Sequence, residues 1–142
     1  MQEQIILPGV IDSLEDMAIF LAQAARHAGI DKRTAGKLHL AVDEMVTNII
    51  THGYEEAGLS GEIVLKAEIT PRALVITVED SAIPFDPRTL ATPSNLDQPL
   101  EERPPGGVGV YLMLKSVNEY LYEYVDGKNK STFIVNRPVV AG

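Results

Sequence analysis

A chain of 142 residues with 45% hydrophobic and 23% charged residues has the composition of a folded domain, not of a disordered segment. Its 12 Lys and Arg against 20 Asp and Glu give a formal charge of −8; this argues against a nucleic-acid-binding face or an anionic membrane surface, which need clustered cations, yet permits one nucleotide, whose phosphates backbone N–H groups and Mg²⁺ can hold. The absence of Cys excludes disulfides, thiolate nucleophiles and Cys-ligated zinc and fits a cytoplasmic protein; no apolar run reaches membrane-spanning length, and the opening MQEQIILPGV lacks a signal-peptide pattern.

Residues 4–7 are apolar and stop at Pro8-Gly9, the pattern of a short edge strand. Asp12 and Ser13 offer N-caps, and Ser13 with Asp16 resembles a capping box. Leu14, Met17, Ala18, Leu21, Ala24, Ala25 and Ala28 then recur at helical spacing, with Gly29 as the stop. A second helix is predicted over residues 31–52, with a core stripe of Ala35, Leu38, Val42, Met45 and Ile49 and Gly53 as its breaker. Alternation predicts strands over 62–69 and 73–79, joined by a hairpin at Thr70-Pro71-Arg72. Residues 81–107 lose periodicity and hold Pro84, Pro87, Pro93, Pro99, Pro104 and Pro105. A connection of that length is functional or disordered. Gly106-Gly107-Val108-Gly109 opens a third predicted helix over 110–118. Strands over 120–125 and 131–136 follow, with Asp126-Gly127-Lys128-Asn129 as the turn, and 137–142 read as a tail. The order predicts one α+β domain over residues 1–142: a two-layer sandwich with helices on one face of a mixed, mostly antiparallel sheet.

Three places could carry chemistry. Glu44, Asn48 and His52 stand at i, i+4 and i+8, a polar stripe roughly 40–120° to one side of the apolar stripe. A carboxylate and an amide oxygen on the border of a buried face can seat Mg²⁺ or a polarised water, or can simply be solvated. Asp80 ends the run LVITVED where the chain leaves a strand; it can accept from a purine's exocyclic amine or merely start a turn. The Gly-rich entry at 106–109 can expose N–H groups to phosphate. It is not a Walker A loop, since no Lys-Ser or Lys-Thr follows.

In that order these elements resemble the anti-sigma factor serine kinases, stand-alone members of the GHKL (Bergerat) ATPase superfamily that includes gyrase and histidine kinase catalytic domains. AVDEMVTNIITHGY (41–54) resembles the family's E-x-x-x-N-x-x-x-H-x-Y helix. EDSAIPFDP (79–87) resembles its D-x-G-x-P-F-D-P box, PPGGVGVYLM (104–113) its Gly-rich box, and NKSTFIVNR (129–137) its closing strand. The resemblance covers residues 38–136 and implies binding of ATP with Mg²⁺. It makes Glu44 the general base toward a serine hydroxyl, Asn48 the Mg²⁺ ligand and Asp80 the acceptor from the adenine amine. His52 lines the polar edge, Gly107, Val108, Gly109 and Val110 lie at the phosphates, Arg103 is a phosphate contact, and Thr132 supports the adenine end. Residues 81–107 become a lid. Implied partners are ATP or ADP, an anti-anti-sigma (STAS-type) protein, a sigma factor and a second copy in a homodimer. Ala82 stands where the family has Gly, and a need for Gly dihedrals there would weaken nucleotide binding by several-fold to about tenfold. The alternative implied by Ala82 is a non-catalytic regulatory module of the same fold. An ATP hydrolase engine is disfavoured, because the chain has no second domain to drive.

Overall fold

The computed structural model describes residues 2–86 and 114–138. Strand β1 (Gln2–Pro8) runs along one edge, and Pro8, which has no N–H to give a ladder, stands at its end. A single 3₁₀ turn (Ile11–Ser13) leads into α1 (Leu14–His27). The expected capping box does not form: Ser13 is buried, and its hydroxyl donates back to the Pro8 carbonyl at 2.7 Å, tying the strand to the helix instead. Gly29, with φ +72, ends α1 by the left-handed turn that only Gly takes without strain. Asp31 caps α2 (Lys32–Asn48), accepting from the Thr34 backbone N–H at 2.8 Å.

The second helix does not run to a break at Gly53. It passes at Ile49 into a π-helical segment (Ile49–Glu55), closed by wide bonds from Glu56 N–H to the Thr51 carbonyl and Leu59 N–H to the Tyr54 carbonyl. The left-handed residue that turns the chain is Gly58, with φ +70. Strands β2 (Glu62–Ile69) and β3 (Ala73–Asp80) form the expected hairpin. Later in the chain come β4 (Glu119–Val125) and β5 (Lys128–Asn136), joined by Asp126 (φ 55) and Gly127 (φ 75), a two-residue turn of the primed kind that strand twist favours. The turn is shorter than expected: Lys128 and Asn129 already belong to β5.

The sheet order is β1-β2-β3-β5-β4. Every pairing among the described residues is antiparallel, so the parallel component of the expected mixed sheet is absent from them. One face packs on the helices. Ile63, Leu65 and Ala67, then Leu74, Ile76 and Val78, then Phe133 and Val135 alternate inward, against Met17, Phe20 and Leu21 of α1 and Leu38, Val42 and Met45 of α2. The period-two and period-3.6 patterns therefore agree on a single core. Of the third predicted helix, residues 114–118 are described: Leu114 and Lys115 are helical, and the chain bends through Ser116, Val117 and Asn118, so the helix ends before the expected Asn118. Among the described residues no helix is long and apolar enough to cross a membrane.

Candidate functional site

Inward alternation along β3 ends on a charge. Asp80 follows Leu74, Ile76 and Val78 onto the core face and is 4% exposed. Its Oδ1 accepts two bonds of 2.9 Å, from the Ala82 backbone N–H and from the Asn129 side-chain Nδ2. Its Oδ2 accepts from no described residue. Burial pushes the carboxyl above its usual range, and the Asn129 and Ala82 hydrogen bonds offset part of that rise. Asn129 reaches this point because the tight β4–β5 turn puts it opposite Asp80 in the β3–β5 register.

Tyr54 fixes the same strand exit from the other side. Its hydroxyl accepts from the Ser81 N–H at 2.9 Å and donates to the Glu62 carbonyl at 2.8 Å. The ring lies so close to Gly9 and Gly61 that a Cβ on either would meet it at 2.7 or 2.9 Å. Burial raises the Tyr54 phenol above its ordinary value.

Between these anchors and the end of α2 lies a cavity of about 350 Å³. Met45, Asn48, Ile49, His52, Gly53 and Glu56 form its helical wall; Asp80, Ala82, Ile83, Phe85, Asn129 and Ser131 form the sheet wall. Its size lies in the range of small-molecule sites, and mostly apolar walls with one buried carboxylate suit a flat heterocycle bearing a donor.

Four of the residues singled out in the sequence, Asn48, His52, Asp80 and Ala82, come together around this space. Glu44 stands one helical turn before Asn48, half-buried and outside the lining, and the Asn48 amide donates to its Oε1 at a long 3.5 Å. The Asn48 side-chain oxygen, Oδ1, takes no hydrogen bond from a described residue. An amide oxygen with a carboxylate beside it fits Mg²⁺, which takes one or two protein oxygens and completes its shell with phosphate and water. No cluster of three His, Asp or Glu suited to an all-protein metal cage occurs among the described residues. The His52 Nδ1 lies 2.7 Å from the Glu56 carboxylate, an exposed i, i+4 pair at the mouth.

Two expectations are corrected. Thr132 does not face the cavity: by strand alternation it lies on the other sheet face, opposite Thr77, and Ser131 takes the cavity side with its Oγ 2.7 Å from the Tyr120 hydroxyl. Nor does Ala82 need glycine dihedrals. Among the described non-glycine residues only Asp126 has a positive φ, and the Ala82 methyl sits over Gly53, where a second Cβ would come within 2.7 Å. Arg103, Gly107, Val108, Gly109 and Val110, and the expected lid beyond Asp86, lie outside the described residues. Asn129, Ser131, Glu56 and Phe85 are wall residues that sequence reasoning missed. The pairing of the β3 and β5 runs could have found the first two, had the turn been read as two residues long.

Residues 8–135 match the family described as the histidine kinase-like ATPase domain. The serine-protein kinase RsbW of Bacillus cereus (strain AH820) is 27% identical over 110 residues, which are 75% of this chain and 68% of that protein. In structure, the chain is similar to the RsbU and RsbW domains of a Mycobacterium tuberculosis protein, with a TM-score of 0.65 and 18% identity over 97% of this chain, which spans 33% of that longer one. It is also similar to a chain of the SiaB–SiaC complex of Pseudomonas aeruginosa, with a TM-score of 0.56 and 14% identity over 94% of this chain and 89% of that one.

Proposed function

The chain belongs to the histidine kinase-like ATPase domain family, and from that premise we propose that it is an ATP-dependent protein serine/threonine kinase that regulates a sigma factor by partner switching. The observation that carries this reading is the placement of Asp80, whose Oδ2 accepts from no described residue, across one cavity from Asn48, with Glu44 one helical turn before Asn48 and outside the lining. Asp80 accepts from the adenine amine, and the apolar walls of Met45, Ile49 and Ala82 sandwich the base. The triphosphate extends past Asn48 toward Glu44, with residues 107–110 as its N–H donors and Arg103 as a further contact. Mg²⁺, when bound, neutralises charge on the phosphates. Glu44 stands beyond the purine pocket and takes the proton from a serine hydroxyl delivered by an anti-anti-sigma protein of STAS type. Residues 81–107 close over the nucleotide, and the protein works in the cytoplasm as a homodimer that holds either the sigma factor or its antagonist. The RsbW similarity supports the kinase, and the SiaB–SiaC similarity supports the fold. The non-catalytic alternative draws on Ala82; that its methyl packs over Gly53 on a backbone that is not left-handed supports the catalytic reading.

The test is phosphoryl transfer from Mg²⁺-ATP to a STAS-type partner carrying an acceptor serine. Glu44→Gln is expected to lower transfer by about 10²–10³-fold while nucleotide affinity stays within about threefold. Asn48→Ala is expected to weaken Mg²⁺-nucleotide binding itself. Wild-type protein that binds ATP but never transfers phosphate would favour the non-catalytic module, and wild-type protein that binds no nucleotide would end both readings.

A further inference from the structure

We propose that Asn129 is a positioning residue of the purine pocket: its amide holds Asp80 by Oδ1 alone, leaving Oδ2 for the ligand, and pins residues 82–85 to the start of β5. This rests on the nucleotide reading of the cavity.

Asn129 is 5% exposed, and its side chain has no freedom of assignment. Nδ2 faces three oxygens: Asp80 Oδ1 at 2.9 Å and the carbonyls of Ala82 and Ile83, each at 3.1 Å. Oδ1 faces two donors, the Phe85 N–H at 3.2 Å and the Tyr122 hydroxyl. Reversing the amide would set nitrogen against the Phe85 N–H and oxygen against all three acceptors, and only the Tyr122 hydroxyl, which can also accept, would tolerate it. The task is specific to Asn. It needs a donor group for the carboxylate and two carbonyls and an acceptor for two donors, on a stem short enough to leave a β-turn and reach across to β3. Asp has no such donor when ionised, Ala has neither group, and Gln is one methylene too long for the same anchor points.

Two consequences follow for the site. With Oδ1 engaged twice, the carboxylate cannot swing, and Oδ2 is presented at a fixed place on the cavity floor. The chain leaving β3 is also tied down at Ala82, Ile83 and Phe85, so that Ile83 and Phe85 stay in the wall. The Asn129 hydrogen bond is among the groups holding the Asp80 carboxyl down against burial. The titratable groups facing it are Tyr54 from the π-helical segment and Tyr122 from β4, with His52 and Glu56 along the same cavity and Asp86 beyond Tyr122.

The experiment uses the full chain and two substitutions. Asn129→Asp keeps the shape but sets a second carboxyl against Asp80, so that the two titrate as one coupled pair. While the pair holds a proton, the new carboxyl can still donate to Asp80. Once that proton is lost, two carboxylates face each other. ATP affinity relative to wild type, measured by calorimetry, is therefore expected to fall by about tenfold or more as pH rises through the titration of the pair. For Asn129→Ala the deficit is expected to be flat with pH above the Asp80 titration. In the nucleotide-free proteins, carboxyl NMR is expected to show the Asp80 titration midpoint moved upward in both variants. An unmoved Asp80 midpoint would overturn the proposal. So would a pH-independent loss, equal in both variants, that merely follows a lowered Tm. Wild-type protein that fails to bind nucleotide would count against the proposed function, whereas the unliganded Asp80 titration would still decide what Asn129 does.

Discussion

Replacing Asp80 by Asn separates what the site needs from what the fold needs. In the folded protein Oδ1 accepts from the Ala82 N–H and from Asn129 Nδ2, both at 2.9 Å. In Asp80→Asn those two donors dictate the orientation of the new amide: its oxygen must meet them, and its NH₂ must take the place of Oδ2. A purine amine that met a carboxylate then meets another donor. The loss combines a charge-assisted hydrogen bond with an unsatisfied pair, about 3 kcal/mol, or roughly 100-fold in ATP affinity. A purine with a carbonyl at the same ring position should lose less, because the new amide can donate to it. Stability should move the other way. Burial raises the folded-state pKa of Asp80, so the folded chain binds this proton more tightly than the unfolded one. Wild-type stability therefore declines as pH rises from the ordinary carboxylate value through the raised folded one, and the cost persists above it. The amide carries no such term, so the variant should be at least as stable as wild type at neutral pH, with a flatter pH dependence across that window. Calorimetry with ATP and inosine triphosphate, beside urea unfolding at several pH values, measures both arms. Wild-type ATP affinity in Asp80→Asn would refute the placement of the adenine amine; a loss of more than about 2 kcal/mol in stability at neutral pH would refute the argument from burial.

Gly53→Ala should destabilise the chain by about 1–3 kcal/mol in urea unfolding, because its Cβ would stand 2.7 Å from that of Ala82, and adding Ala82→Gly should restore most of the loss. Tyr54→Phe removes the acceptor for the Ser81 N–H and the donor to the Glu62 carbonyl, and should lower stability by about 1–3 kcal/mol with a smaller effect on ATP affinity than Asp80→Asn.

What the sequence disclosed and what it hid divide along a physical line. Helix and strand periods are local, and they put Met17, Leu38, Val42, Ile63, Leu65 and Ile76 on the faces where they pack. Asn48 and Asp80, which line the cavity, stand at a helix border and a strand end, where polarity alone leaves a solvated or turn reading open; the ordered resemblance to a family singled them out together with Glu44. The partners were not legible, because they come from register. Asn129 has the composition of a turn and the position of a strand, and the two readings differ only in whether the primed turn closes at Gly127 or two residues later. A one-residue error of phase also exchanges Ser131 for Thr132, since side chains alternate between the sheet's faces. The π-helical segment had no local signature either. Gly53 looked like a stop because Gly often is one, yet its backbone is not left-handed, and its missing side chain makes room for a methyl 29 positions later in the chain. Ala82 looked like a defect for the complementary reason: a residue judged against a family pattern is judged without the neighbour that adapts to it. The pair Gly53–Ala82 and the pair Asp80–Asn129 are each intelligible only once the end of the second helix, the third strand and the fifth strand meet at one cavity. The contacts that shape this site are therefore long-range in sequence, while the groups that mark it are local.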